Sequence, residues 1–143
     1  MRPGQNWKKM ANLGLQGNLY LFEAATTLAG AAAAIQFLPF RAALKYGSVP
    51  LPETIKVPLG AIDKLSWSVK TVARKVPFRA LCFEQGLALQ RMLRRRGIDA
   101  RLNYGIGKKD ENLIEAHVWV DVDDKVVIGE HDIGLFQSVA IFP

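Results

Sequence analysis

The stretch RALCFEQGLALQRMLRRRG, residues 79–97, decides the fold, because it predicts one amphipathic helix with a reactive group at its start. The only cysteine of the chain, Cys82, lies where this helix should begin. The arginines at 94–96, followed by Gly97, are typical of a solvated helix C-terminus. A helix N-terminus and the nearby cation Arg79 both favour the thiolate form of a cysteine. A lone cysteine is more often a small buried hydrophobe, so a catalytic role requires a base elsewhere in the chain.

Composition sets the limits of the prediction. The chain has 143 residues, 50% of them hydrophobic, which is enough for one globular domain with a helical appendage. Its formal net charge of +6 points to an anionic partner such as nucleic acid, acidic lipid or an acidic peptide. A single cysteine excludes an intramolecular disulfide and a multi-cysteine zinc site. We therefore expect a cytoplasmic protein without a metal or a bound cofactor.

The N-terminal part is apolar and preceded by cations, as in a signal peptide. Residues 19–38, LYLFEAATTLAGAAAAIQFL, nevertheless contain Glu23 and consist largely of alanine and threonine, which favours a buried or docking helix that ends at Pro39. Three prolines and a glycine in residues 47–58 predict an extended joint. We divide the chain into an N-terminal helical segment, 1–50, and a core, 51–143, and leave peripheral membrane contact of the first segment open.

The periodicity of the core changes from helix to strand. Apolar residues at helical spacing predict a helix before the cysteine, with the cations Lys64, Lys70 and Arg74 off its buried stripe: Ile62, Leu65, Val69, Val72 and Val76. Alternation then predicts four strands, at 100–107, 114–122, 125–129 and 138–142. We expect the polar residues 108–112 to form a loop and Asp123-Asp124 to form a tight hairpin turn. Helices followed by a small antiparallel sheet predict an α+β fold.

The second strand supplies the candidate base. Val118, Val120 and Val122 alternate toward the core, so His117 lies on the opposite face, where it can serve a thiolate. If the hairpin turn is Asp123-Asp124, position 117 lies opposite Glu130, with Asp132 as its diagonal neighbour. Either carboxylate could orient the imidazole, and a one-residue change of register would instead bring Gly129 or His131 opposite it.

Two segments resemble a known family. A cysteine that opens CFEQGLALQRMLRRRGIDARLNYGIG, followed by EAHVWVDVDDKVVIG, is similar to the transglutaminase-like, papain-like cysteine proteases known as lasso peptide biosynthesis B2 proteins. The similarity extends to FLPF and VPFRALC and covers nearly the whole chain. It implies that Cys82 is the nucleophile and His117 the base. Many relatives have Asn-Asp where this chain has Ile128-Gly129, which leaves Glu130 and Asp132 as candidates for the third catalytic residue.

The resemblance also implies a pathway. Such proteins remove the leader from a lasso precursor peptide, together with a small leader-binding (RRE-type) B1 protein and an ATP-dependent lasso cyclase. We expect Arg79, Gln85 and Trp119 to contact the substrate and expect no nucleic acid to bind. The alternatives are a transglutaminase-like acyltransferase or amidase that uses the same pair, and a non-catalytic basic module that binds peptide or nucleic acid.

Overall fold

The helices precede the sheet in the computed structural model, which describes residues 14–53, 60–131 and 133–143. Four α-helices are present in this part of the chain: α1 (Gly14–Phe37), α2 (Phe40–Gly47), α3 (Ala61–Ala73) and α4 (Cys82–Arg94). Four strands follow: β1 (Ala100–Asp110), β2 (Leu113–Val122), β3 (Lys125–Ile128) and β4 (Phe136–Phe142), with a short 3-10 helix at Ile133–Leu135. The α+β fold class is confirmed.

The N-terminal helix packs along one face only. Leu21, Ala24, Leu28 and Ala31 recur at helical spacing and are buried, while the large apolar side chains on its other face, such as Phe22, are exposed. Helix α1 begins five positions before the predicted start and ends before Pro39, as expected. Within the described ranges, no helix has the length and apolar character needed to cross a membrane.

The two helices of the core form where the periodicity predicts them. Leu65 and Val69 of α3 are fully buried, and the predicted apolar stripe faces the interior. Helix α4 begins at Cys82 and is followed by Gly97 at φ +78°, a left-handed conformation that glycine adopts readily. Part of the predicted joint, residues 54–59, lies outside the described residues.

The arginines at the end of α4 do not form a solvated helix end. The side chain of Arg94 is 9% exposed and donates hydrogen bonds to the carbonyl of Val49 and the carboxylate of Asp99. Arg96 donates to both carboxylate oxygens of Glu23 on α1. Only Arg95 of the three is exposed, so two of these cations hold the helix end to neighbouring segments.

The sheet is antiparallel with strand order β3-β2-β1-β4. Asp123 and Asp124 have φ angles of 50° and 63°, which confirms a tight turn between β2 and β3 of the type that matches strand twist. The prediction of a loop over 108–112 was wrong, since β1 continues to Asp110 and β2 begins at Leu113. The paired backbones extend the hairpin almost to its tip.

One hydrophobic core joins the helices to one face of the sheet. It contains buried side chains from every helix and from the first three strands, among them Leu28, Leu87, Leu102 and Val120. Gln90 of α4 is fully buried, and its amide nitrogen donates to main-chain carbonyls of β1 and β4. Residues on both sides of position 50 share this core, and the division of the chain at that position stays a prediction.

Candidate active site

Cys82 occupies the first position of α4, because the residue before it adopts an extended backbone that starts the helix. The main-chain amide of Leu81 donates to the carboxylate of Glu84, which is 3% exposed and caps the helix. The amides of Cys82 and of the next residue belong to the first turn, where N–H groups have no partner within the helix. Cys82 is half-buried at this helix N-terminus.

Arg79 and Gln85, which we expect to contact the substrate, both lie near this helix start but make different contacts. Gln85 donates from its side-chain amide to the carbonyl of Ala80, at 2.9 Å, and so fastens the segment that leads into Cys82. Arg79 has a side chain that is 77% exposed and lies 3.5 Å from Glu84. The charge of Arg79 is therefore directed at the capping carboxylate.

His117 lies on the face of β2 opposite the core, as the alternation predicts. Its ring packs against Trp119, with 6.1 Å between centroids, and against Phe136, with 5.0 Å. Trp119 is itself buried and lies over Gly105 of β1, where an added Cβ would be 2.6 Å from the indole. Gly105 thus provides the space for the indole, and the indole supports the imidazole.

The carbonyl oxygen of Gly129 lies 2.7 Å from Nε2 of His117. A carbonyl can only accept, so Nε2 carries a proton, and in the neutral ring the lone pair is on Nδ1. Gly129 has φ +81°, and an added Cβ would lie 2.5 Å from the carbonyl of Val118. Only glycine fits this backbone, and its main-chain oxygen does what an orienting carboxylate would do for the ring.

Glu130 is not the partner of His117, which corrects the expectation from the hairpin register. Pairing begins as predicted, with Val122 opposite Lys125, but a bulge leaves Val127 unpaired and shifts the register by one residue. The Glu130 carboxylate instead accepts a hydrogen bond from Lys70 at 2.7 Å. This bond holds the pKa of Glu130 below its ordinary value. Asp132, the other candidate, lies outside the described residues.

A cavity of about 450 Å³ brings these groups together. Its lining includes the predicted nucleophile and base, the candidate third residue Glu130, and Gln85, whereas Arg79 and Trp119 are not part of it. The lining residues are Lys70, Arg74, Cys82, Gln85, His117, Ile128, Gly129, Glu130 and His131.

Two cations that line the cavity have no feature in the sequence that predicts a role in the site: Lys70 on α3 and Arg74 directly after its last residue. Their spacing of four residues puts them on one side of the helix, off its buried stripe, and such a pattern is typical of a solvated surface. The described residues contain no group of three or more His, Cys, Asp or Glu side chains arranged to hold a metal ion.

Comparison with known proteins places the chain in a superfamily. No curated protein and no solved structure matches the chain significantly. A family model described as Transglutaminase-like superfamily matches residues 25–140. This superfamily includes cysteine proteases and acyltransferases, and the match spans the second half of α1, the cysteine helix and the strand of His117. The protein therefore belongs to the transglutaminase-like superfamily.

Proposed function

We propose that the protein is a cysteine peptidase that removes the leader from a lasso precursor peptide. The observation that carries this proposal is the shared cavity of Cys82 and His117, in which the carbonyl of Gly129 holds Nε2 of the imidazole. With Nε2 protonated, Nδ1 is the nitrogen that can accept a proton from the thiol. A nucleophile, a base and an orienting group are the parts that amide hydrolysis by a thiol needs.

The reaction has two halves. The Cys82 thiolate attacks the carbonyl of the last leader residue, and the tetrahedral intermediate collapses as His117 protonates the departing amine of the core peptide. A thioester remains, and His117 then takes a proton from water, which attacks the thioester and releases the leader as a carboxylic acid. In this proposal the main-chain amide of Cys82 stabilises the oxyanion, a contribution of about 3 kcal/mol per donor in other enzymes.

The identity of the substrate is inferred from the resemblance to the lasso peptide biosynthesis B2 proteins. That resemblance rests on the cysteine helix, on the Ala-His-x-Trp-Val strand and on the apolar helical N-terminus. The partners that follow are a small leader-binding B1 protein, which presents the precursor, and an ATP-dependent cyclase, which uses the new amine of the core. ATP is a substrate of the cyclase, and we place the reaction in the cytoplasm.

The test is precursor cleavage by purified protein with its B1 partner. We expect Cys82→Ala and His117→Ala each to abolish leader removal while circular dichroism shows an unchanged fold. His131→Ala is the matched control, since His131 lines the same cavity but is exposed, and the proposed reaction assigns it no role. Substantial cleavage by a folded Cys82→Ala variant would rule out the proposal.

The mass of the released leader separates hydrolysis from acyl transfer. Hydrolysis places a hydroxyl on the acyl carbon, whereas transfer to an added amine leaves an amide of different mass. We expect the acid to form even in the presence of a primary amine at high concentration. A leader that carries mainly the amine would assign the protein to the acyltransferases of the superfamily.

A further inference from the structure

The cavity carries two cations beside its catalytic pair. Lys70 lies in the last turn of α3 and Arg74 directly follows its last residue, and both side chains line the cavity that contains Cys82 and His117. The charge of Lys70 is matched by Glu130, at 2.7 Å. Cys82 and His117 together carry no net charge, whether their shared proton is on the sulfur or on the imidazole. Among the described lining residues, the guanidinium of Arg74 is therefore the positive charge that is left without compensation.

The contacts of Arg74 fix one side of its guanidinium. Its Nε donates to the carbonyl oxygen of Lys70, at 3.2 Å, which leaves the two terminal nitrogens for another acceptor. Within residues 14–53, 60–131 and 133–143, no carboxylate lies within salt-bridge distance of Arg74. A cation at a helix C-terminus interacts favourably with the helix dipole. That role does not require the cation to line a cavity.

We infer that Arg74 forms a carboxylate-binding subsite, which takes an acidic side chain of the substrate peptide next to the scissile bond. This inference rests on the proposed function for its substrate class. Two terminal N–H groups of a guanidinium match the two oxygens of a carboxylate in a bidentate pair. An acidic side chain would balance the remaining charge of the cavity, whereas a basic one would add to it.

The subsite can be tested without a peptide substrate, because Cys82 is the only thiol in the chain. Iodoacetate and iodoacetamide alkylate a thiolate by the same displacement of iodide, and only iodoacetate carries a carboxylate. We expect Arg74→Gln to lower the ratio of the iodoacetate rate to the iodoacetamide rate by about two- to five-fold, the range for an exposed ion pair. Arg74→Lys should keep most of the ratio.

Lys75→Gln is the matched control. It removes one positive charge at the neighbouring position, and Lys75 is exposed and not among the residues that line the cavity. An equal fall of the ratio in Lys75→Gln would show a general effect of net charge and overturn the subsite. An unchanged ratio in Arg74→Gln would overturn it as well. The iodoacetamide rate of each variant shows whether Cys82 has kept its environment.

The two proposals fail in different ways. If the ratio depends on Arg74 and the precursor is not cleaved, the subsite stands and the peptidase proposal is wrong. If the precursor is cleaved and the ratio is independent of Arg74, the peptidase proposal stands and the subsite is wrong. With active protein, peptide pairs that differ only by Glu or Gln beside the cut should show a preference for Glu in kcat/KM that Arg74→Gln removes.

Discussion

Nε2 of His117 lies 2.7 Å from the carbonyl oxygen of Gly129, so the imidazole is oriented by the main chain. A backbone oxygen cannot be removed by mutating a side chain, but it can be displaced through the backbone that carries it. Gly129 combines φ +81° with no room for a Cβ, because the Val118 carbonyl lies 2.5 Å from where that atom would be.

We expect Gly129→Ala to lower kcat by at least about ten-fold and to destabilise the fold by about 1–2 kcal/mol, the range for an L-residue in the left-handed region. Gly134→Ala is the control, since a Cβ at Gly134 meets nothing within 4 Å. Leader cleavage and urea unfolding measure the two effects. Full activity of Gly129→Ala would show that this carbonyl does not orient the ring.

Glu130 is expected to support His117 indirectly, through its ion pair with Lys70. The ion pair fastens the residue after Gly129 to α3, so its loss should loosen the carbonyl that holds His117. We expect Glu130→Gln and Lys70→Met each to lower kcat several-fold, and the double variant Lys70→Glu with Glu130→Lys to recover most of it. A carboxylate that bonds His117 directly could not be replaced by a lysine, so failure of the exchanged pair would return Glu130 to the role of catalytic acid.

The same ion pair makes a pH-dependent contribution to stability. The hydrogen bond from Lys70 lowers the pKa of Glu130 from its ordinary value of 4.5. The contribution is therefore complete above the unfolded-state value and is lost as the pH falls through the lower value of the folded state. Because the side chains are 33% and 48% exposed, solvent screening limits it to at most about 1 kcal/mol.

The measurement is the free energy of unfolding of wild type and Glu130→Gln between about pH 3 and pH 8. We expect a constant difference from neutral pH down to about pH 5 and a shrinking difference below it. A difference that persists unchanged at the acidic end would show that another interaction of Glu130 is responsible.

Much of the fold could be predicted from the sequence, because periodicity and turn chemistry are local. The period of two predicted the face of His117, and Asp123-Asp124 predicted the hairpin turn. The predicted pairing of β2 with β3 was wrong beyond Val126, because Val127 forms a bulge. The carbonyl of Val127 accepts a hydrogen bond from Ser66 of α3. A contact between residues so far apart in sequence leaves no trace in the local pattern, and the bulge gives His117 a carbonyl instead of a carboxylate.

The arginines at the end of α4 are a second case in which contacts with distant segments could not be predicted from the local sequence. A run of three cations predicts a solvated helix end, but the partners of Arg94 lie in other segments. We expect Arg94→Glu to cost about 1–3 kcal/mol of folding free energy, because the substitution puts a carboxylate where a buried side chain donated hydrogen bonds to Val49 and Asp99. Arg95→Glu should change it by less than about 0.5 kcal/mol, since Arg95 is exposed. Urea unfolding measures both effects, and equal effects would contradict the role of the buried Arg94 side chain in holding the helix end.

The central claim is that Cys82 attacks the substrate with help from His117. Intact-mass analysis of the protein, quenched in acid during precursor cleavage, tests it most directly. We predict a species heavier by the acylating leader, with peptide mapping that places the thioester on Cys82, and no such species in Cys82→Ala or His117→Ala. Leader release by wild type with no acylated protein, together with undiminished release by Cys82→Ala, would contradict the claim.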